Sequence, residues 1–275
     1  MDNASHRLPR LPRGRTFGLA RALCLVSALL APATSDAANR DQLRIIVEDQ
    51  CAPHWARDRN PAPCRSVTSG TPDHPSGGYA VLHDITGGAH YLLIPIETLP
   101  GIETPELLAP GATNFFEAAW QARDSLATDT GRPVPDDAVA LAVNSALART
   151  QDQLHVHVSC QRESVHDALA SMADRIDADW GPILLSTGPY EALRVMGNSL
   201  AGANPFKLLA ERLPSAKENM GRYSLMVAAM NFGEGPGFIV LAGSGVPGSA
   251  MLLDPECTLA TRPDHSQPRP PASQR

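Results

Sequence analysis

Polar and apolar positions alternate most strictly over residues 153–160, where Gln153, His155, His157 and Ser159 oppose Leu154, Val156, Val158 and Cys160. Strand side chains alternate between faces with period two, so this pattern predicts a half-buried strand with two imidazoles side by side on its polar face. Residues 137–144 alternate as well, with Val139, Leu141 and Val143 against Ala138, Ala140, Ala142 and Asn144. Joined by 145–152, the two strands form an antiparallel pair. Small alanines beside the imidazoles would leave room for a ligand, and Asn144 at the strand end could fix it.

The flanking patterns supply the rest of the fold. Apolar residues at helical spacing predict an opening helix over 39–50, and the Pro-, Gly- and Ser-rich segment 51–77 reads as a loop in which His54 and His74 are solvated. Residues 79–83 and 90–96 form a hairpin around Gly87 and Gly88, with His83 and His90 as strand-end residues that could line a pocket but are structural in the simplest reading. The stripe Phe115, Ala119, Ala122, Leu126 predicts a long helix under the sheet, with Glu117 returning a hydrogen bond to its start and Trp120 in the core. Ser164 and Asp167 are placed to cap a helix whose stripe is Val165, Leu169, Met172 and Ile176, leaving His166 exposed. Asn204-Pro205 opens another helix, and residues 223–230 and 238–241 form a second hairpin. The Pro-, Gln- and Ser-rich residues 258–275 read as a disordered tail.

The N-terminus stands apart. Arg7, Arg10, Arg13, Arg15 and Arg21 precede an apolar run from Ala22 to Ala33 and then Ser35-Asp36-Ala37, so residues 1–37 read as a secretory signal. The run is shorter than the roughly 20 residues that cross a bilayer. Cleavage therefore fits the sequence, which leaves a soluble periplasmic domain. Removing the segment's five arginines and two aspartates leaves 18 basic and 27 acidic residues, net −9. A nucleic-acid partner would call for the opposite sign.

The remaining cysteines, Cys51, Cys64, Cys160 and Cys257, suit two disulfides in an exported chain. Of three connectivities, the loop between Cys51 and Cys64 favours a local bridge, which pairs Cys160 with Cys257. The glycine-rich stretches at 233–237 and 243–248 lack the Lys-Ser/Thr ending of a phosphate loop, and no Gly-x-Ser-x-Gly is present. No Cys or carboxylate stands at metal-ligand spacing near His155 and His157, so neither a metal nor another cofactor is expected. What remains is nucleophilic histidine chemistry at phosphorus, with a second imidazole, Gln153 and Ser159 on the same face to bond phosphate oxygens and Arg149 to add positive charge.

The order strand, Asn144, short loop, strand with alternating histidines resembles the histidine-triad superfamily, whose motif is His-φ-His-φ-His-φ-φ; here Gln153 stands at the first histidine. More narrowly, Leu141-Ala-Val-Asn144-Ser, Arg149-Thr-Gln151 and His155-Val-His157-Val-Ser-Cys160 resemble the bacterial CDP-diacylglycerol pyrophosphatases. So do Thr113-Asn-Phe-Phe116, Ala119-Trp-Gln-Ala-Arg-Asp124 and Met220-Gly-Arg-Tyr223. The resemblance spans roughly 45–257 and implies a catalytic domain at 39–257. It implies an α+β fold, an antiparallel sheet with packed helices, and hydrolysis of CDP-diacylglycerol to CMP and phosphatidate in phospholipid metabolism. It further implies His155 as nucleophile, His157 as the third triad position, and Asn144, Arg149, Gln151, Gln153 and Ser159 around the substrate. Family members are held at the inner membrane by an uncleaved anchor, which implies a membrane-surface partner and a periplasmic catalytic face. The residues alone also allow a nucleotidyl hydrolase or transferase acting on soluble nucleotides, or a nucleotide-binding protein without turnover.

Overall fold

The computed structural model describes residues 40–262, apart from 73 and 246. The expected signal at 1–37 and most of the expected tail lie outside these residues. Where the tail is described it is ordered: Leu259 is fully buried and Arg262 pairs with Asp167, so the fold runs five residues past Cys257. Among the described residues no helix is long and apolar enough to cross a membrane.

The architecture is α+β. The described strands are β1 (Ser66–Thr68), β2 (Tyr79–His83), β3 (Tyr91–Pro95), β4 (Val139–Val143), β5 (Val156–Gln161), β6 (Gly181–Leu185), β7 (Gly188–Met196), β8 (Tyr223–Phe232), β9 (Gly235–Ser244) and β10 (Leu253–Asp254). They form one sheet in the order β1-β2-β3-β5-β4-β8-β9-β7-β6, with β10 beside the end of β5 and the strand pairs antiparallel. The β6–β7 hairpin is absent from the pattern reading. Leu184 in it is largely exposed, which blurs the apolar signal at this edge.

Both faces of the sheet are covered, in different ways. On one face Leu154, Val156, Val158 and Cys160 join Leu141, Val227 and Val240 in a core closed by helices α3 (Phe115–Gln121), α4 (Leu126–Thr130) and α6 (Pro205–Arg212). The predicted long helix is broken by a 3₁₀ turn over Ala122–Ser125. Trp120 is in the core as expected, but Glu117 accepts from Leu200 N–H (2.6 Å) instead of closing a box with its own cap, Asn114.

The second face has two covers with a gap between them. At one end α1 (Gln42–Ile46), a π-helical turn (Val47–Cys51) and α2 (Ala52–Asp58) lay Leu43, Val47 and Cys51 on Ala80, Leu92 and Ile94. The helical run thus extends into the segment read as loop, and the Cys51–Cys64 disulfide ties its middle to the residues just before β1. At the other end α5 (Glu163–Met172) places Val165 and Leu169 over Ala140, Ala142 and Met226. The alanines therefore admit a helix and Leu252, not a ligand. Arg162, not Ser164, is the helix N-cap, and His166, expected outside, is buried. Cys160 and Cys257 are bridged, completing the expected connectivity.

Candidate active site

The gap between the two covers exposes the histidine row to a cavity. Leu92 of β3 and Ala142 of β4 both stand opposite His157 in register, so the histidine row runs between the apolar patch under α1 and the one under α5. A cavity of about 680 Å³ opens there, lined by His155, His157, Gln151 and Asp84 and walled by Leu43, Ile46, Leu82 and Leu92. The expected half-exposed strand is in fact buried on both faces, His155 and His157 being only 7 % and 8 % exposed.

His155 lies one residue before β5, and its ring is fixed by the chain itself. Its Nδ1–H donates to the carbonyl of Gln153 (2.7 Å), which leaves Nε2 with a free lone pair. Gln153 is buried, and its Nε2 donates to the carbonyls of Pro95 and Glu97 (3.0 and 2.9 Å), pinning this turn to the end of β3. Leu154 N–H donates to Leu99 O (2.6 Å) and adds a second pin. What position 153 offers His155 is its backbone carbonyl, a group that any residue supplies.

The rings of His155 and His157 meet edge to face at 4.8 Å, and His157 stacks on His90 at 5.1 Å. His90 Nε2 and His157 Nδ1 are 2.9 Å apart, a hydrogen bond between imidazoles. Behind His90, its Nδ1 faces Asp84 Oδ1 at 3.9 Å and Thr86 Oγ1 at 3.4 Å, and Thr86 Oγ1 donates to the same carboxylate oxygen (2.5 Å). The result is a line Asp84, His90, His157 that ends on His157 Nε2, which is buried and has no hydrogen-bond partner among the described residues. Burial lowers the pKa of all three histidines; for His157 the neighbouring His155 and His90 add to the effect, whereas for His90 the Asp84 charge opposes it.

Asp84 was not identified as a site residue in the sequence, nor was any carboxylate expected near the histidines, whereas His90, read first as structural, takes its alternative place beside the pocket. The structure corrects this: Asp84, His90 and His157 present ligand atoms within 4.8 Å of one another, a set that could hold a metal ion. The available signal was a histidine at the start of the strand that pairs with the histidine strand.

The other candidate residues are more engaged than a free polar face implies. Ser159 is fully buried and donates to Ala89 O (2.8 Å), so it braces β5 against the turn before β3. Asn144 Oδ1 accepts from Ala250 N–H (3.2 Å), while the residue lines a small cavity with His155, Arg149 and Gly101. Gln151 Oε1 accepts from Leu43 N–H (3.0 Å), which ties the site loop to α1. Arg149, far from being solvated, bridges Glu103 (2.7 Å) and Asp152 (3.0 Å) and lies across Gly101, where a side chain would collide with the guanidinium. Arg40 completes the fastening of the loop; its guanidinium, helped by Arg149 and opposed by partial burial, holds the Asp152 carboxyl at about 2.

Comparison with known proteins places this arrangement. The sequence profile of the CDP-diacylglycerol pyrophosphatase family matches residues 38–261, nearly all of the described fold. A CDP-diacylglycerol pyrophosphatase of Yersinia pestis is 40 % identical over 206 residues, covering 74 % of this chain and 76 % of the relative. The matched span contains the disulfides, the histidine strand and the Asp84–His90 turn. The chain belongs to the CDP-diacylglycerol pyrophosphatase family.

Proposed function

We propose that this protein hydrolyses the pyrophosphate bond of CDP-diacylglycerol to CMP and phosphatidate, with His155 as a covalent nucleophile in a histidine-triad-like fold. The observation that carries the mechanism is the bond from His155 Nδ1–H to Gln153 O, which directs a neutral Nε2 outward. Desolvation keeps that ring neutral near pH 7, the form that attacks phosphorus.

In the first step His155 Nε2 bonds to the phosphorus bearing cytidine, and the P–O bond to phosphatidate breaks with its electron pair on the departing oxygen. In the second step water attacks that phosphorus, and the P–N bond breaks with its electron pair returning to Nε2, so that CMP is released and the neutral imidazole restored. The Asp84 carboxylate favours the His90 tautomer protonated on Nδ1, so His157 Nδ1–H donates to His90 Nε2 and the His157 ring is held facing His155. His157 Nε2, left with its lone pair, then accepts the proton of the attacking water, and Asn144, Arg149 and Gln151 shape the loop that borders it. The cavity beside the histidines suits the nucleoside: apolar walls flank a flat base, and Asp84 accepts from hydroxyl donors.

The domain at 39–257 is the catalytic unit of this proposal, and residues 1–37 act as signal or anchor. The two disulfides support a periplasmic setting, with the substrate met at the inner-membrane surface.

Turnover in labelled water tests the chemistry. The solvent oxygen should appear in CMP, and acid quenching should trap a cytidylyl group on His155. Label found only in phosphatidate, with no adduct, would place the attack on the other phosphorus and remove His155 from the role. A chelator should leave the rate unchanged if the paired imidazoles share a proton and not a metal.

A further inference from the structure

The cavity at the histidines accounts for one end of a lipid nucleotide; the acyl chains need another surface. On the far side of the 145–152 loop lies a second cleft of about 660 Å³, bounded by Pro105, Leu108, Leu147 and Met220, with Lys217 and Arg222 among its lining residues. Leu147, at the loop's outer bend, is 92 % exposed. A single exposed leucine is ordinary, but this one lines a cleft together with half-buried Leu108 and buried Met220.

Three observations connect this cleft to the reaction. The loop that carries Leu147 is the same one that joins Asn144 to His155, and Ala146 N–H donates to Gly221 O (2.8 Å), fixing the cleft floor to it. Between cleft and nucleophile stand Arg149 and Gly101, which line the small cavity at His155, while Arg149 bridges Glu103 at the cleft's edge. Lys217 and Arg222 are exposed and make no ion pair among the described residues, and with Glu103 neutralised by Arg149 only Glu218 opposes them. In a chain of net charge −6 this is a local positive rim, suited to a phosphatidate headgroup above apolar chains.

We propose that this cleft receives the diacylglycerol half of the substrate, with Leu147 and Leu108 against the acyl chains beyond their first few carbons and Lys217 and Arg222 as its positive rim. The proposal rests on the assignment of CDP-diacylglycerol as substrate.

The test compares two substrates in the same detergent micelles, dioleoyl CDP-diacylglycerol and its dibutanoyl analogue, whose chains end short of the cleft. Replacing Leu147 and Leu108 by Ser should raise KM for the dioleoyl substrate about tenfold, since two apolar contacts are lost, and change the dibutanoyl value less than about twofold. Leu147→Asp alone, at a position too exposed to affect folding, should act in the same direction. Equal losses on both substrates would show that the loop serves catalysis and not lipid binding. An unchanged dioleoyl KM would place the chains elsewhere. Either result overturns the cleft while leaving the reaction standing, whereas a wild-type protein that turns over neither substrate overturns the reaction itself.

Discussion

The two ends of strand β5 share one alternation and one face, yet they do opposite work. At the N-terminal end, His155 and His157 border a cavity, and His157 Nε2 is without a hydrogen-bond partner among the described residues. At the C-terminal end, Ser159 and Gln161 are sealed beneath the cover: Gln161 Nε2 donates to Asp137 O and Ala229 O at 2.8 and 2.6 Å and approaches Val139 O at 3.4 Å. Polar residues on one strand face thus split into a pair that borders a cavity and a pair that is sealed in the structure. The split follows the cover: α5 reaches only the C-terminal end, and the α1 segment stops short of the histidines.

That contrast can be broken most severely at His155. On the proposed mechanism His155→Ala should lower turnover by at least about 10⁴-fold, because the nucleophile is lost, while thermal stability stays near wild type. Rate measurements beside a melting curve check both halves. A comparable loss of rate in Ser159→Ala, whose hydroxyl serves only Ala89 O, would erase the distinction between the ends.

The sealed end should answer in the other currency. Gln161→Leu strips two or three buried carbonyls of their donor and should destabilise by about 1–3 kcal/mol, read from denaturant midpoints. Its kcat at a temperature well below the melting point should remain within a few-fold of wild type.

A third measurement sharpens the contrast within the open end. His90→Phe removes the acceptor from His157 and should lower kcat by about tenfold to thirtyfold, because it acts through His157 and not on the phosphorus. In the wild type, burial holds the histidine pKa values below 6.5, so kcat/KM should persist as pH falls through 6.5 and decline only beneath it. Stability follows the same sign. The unfolded chain binds protons first, so stability present above pH 6.5 is lost as the pH drops below it. An acid limb centred above 6.5 would contradict a buried neutral nucleophile.

The smallest effect belongs to position 153. Its carbonyl orients His155 whatever the side chain, so Gln153→His should keep most of the activity. Gln153→Ala, which loses the bonds to Pro95 O and Glu97 O, should reduce the rate moderately through a looser turn. A Gln153→His variant as dead as His155→Ala would show that the side chain itself takes part.

Much of this was legible in the chain. Period-two alternation at 139–143 and 153–160 identified the two site strands, because side-chain direction along a strand is a local property. The Asn204 cap and the cysteine pairing were readable too, the first from a one-turn interaction and the second from a short loop that leaves one partner for Cys160. Local pattern failed where cover mattered. Ala140 and Ala142 read as room for a ligand, and His166 read as exposed, because alternation gives a face but not what lies upon it. Asp84 and His90 reached the site only through the pairing of β3 with β5, which brings His90 beside a histidine 67 residues later. The sequence by itself therefore determined which groups could react. Tertiary structure decided which of them are held neutral, paired and open to substrate, since burial and long-range contact depend on packing between segments and leave no local period to read.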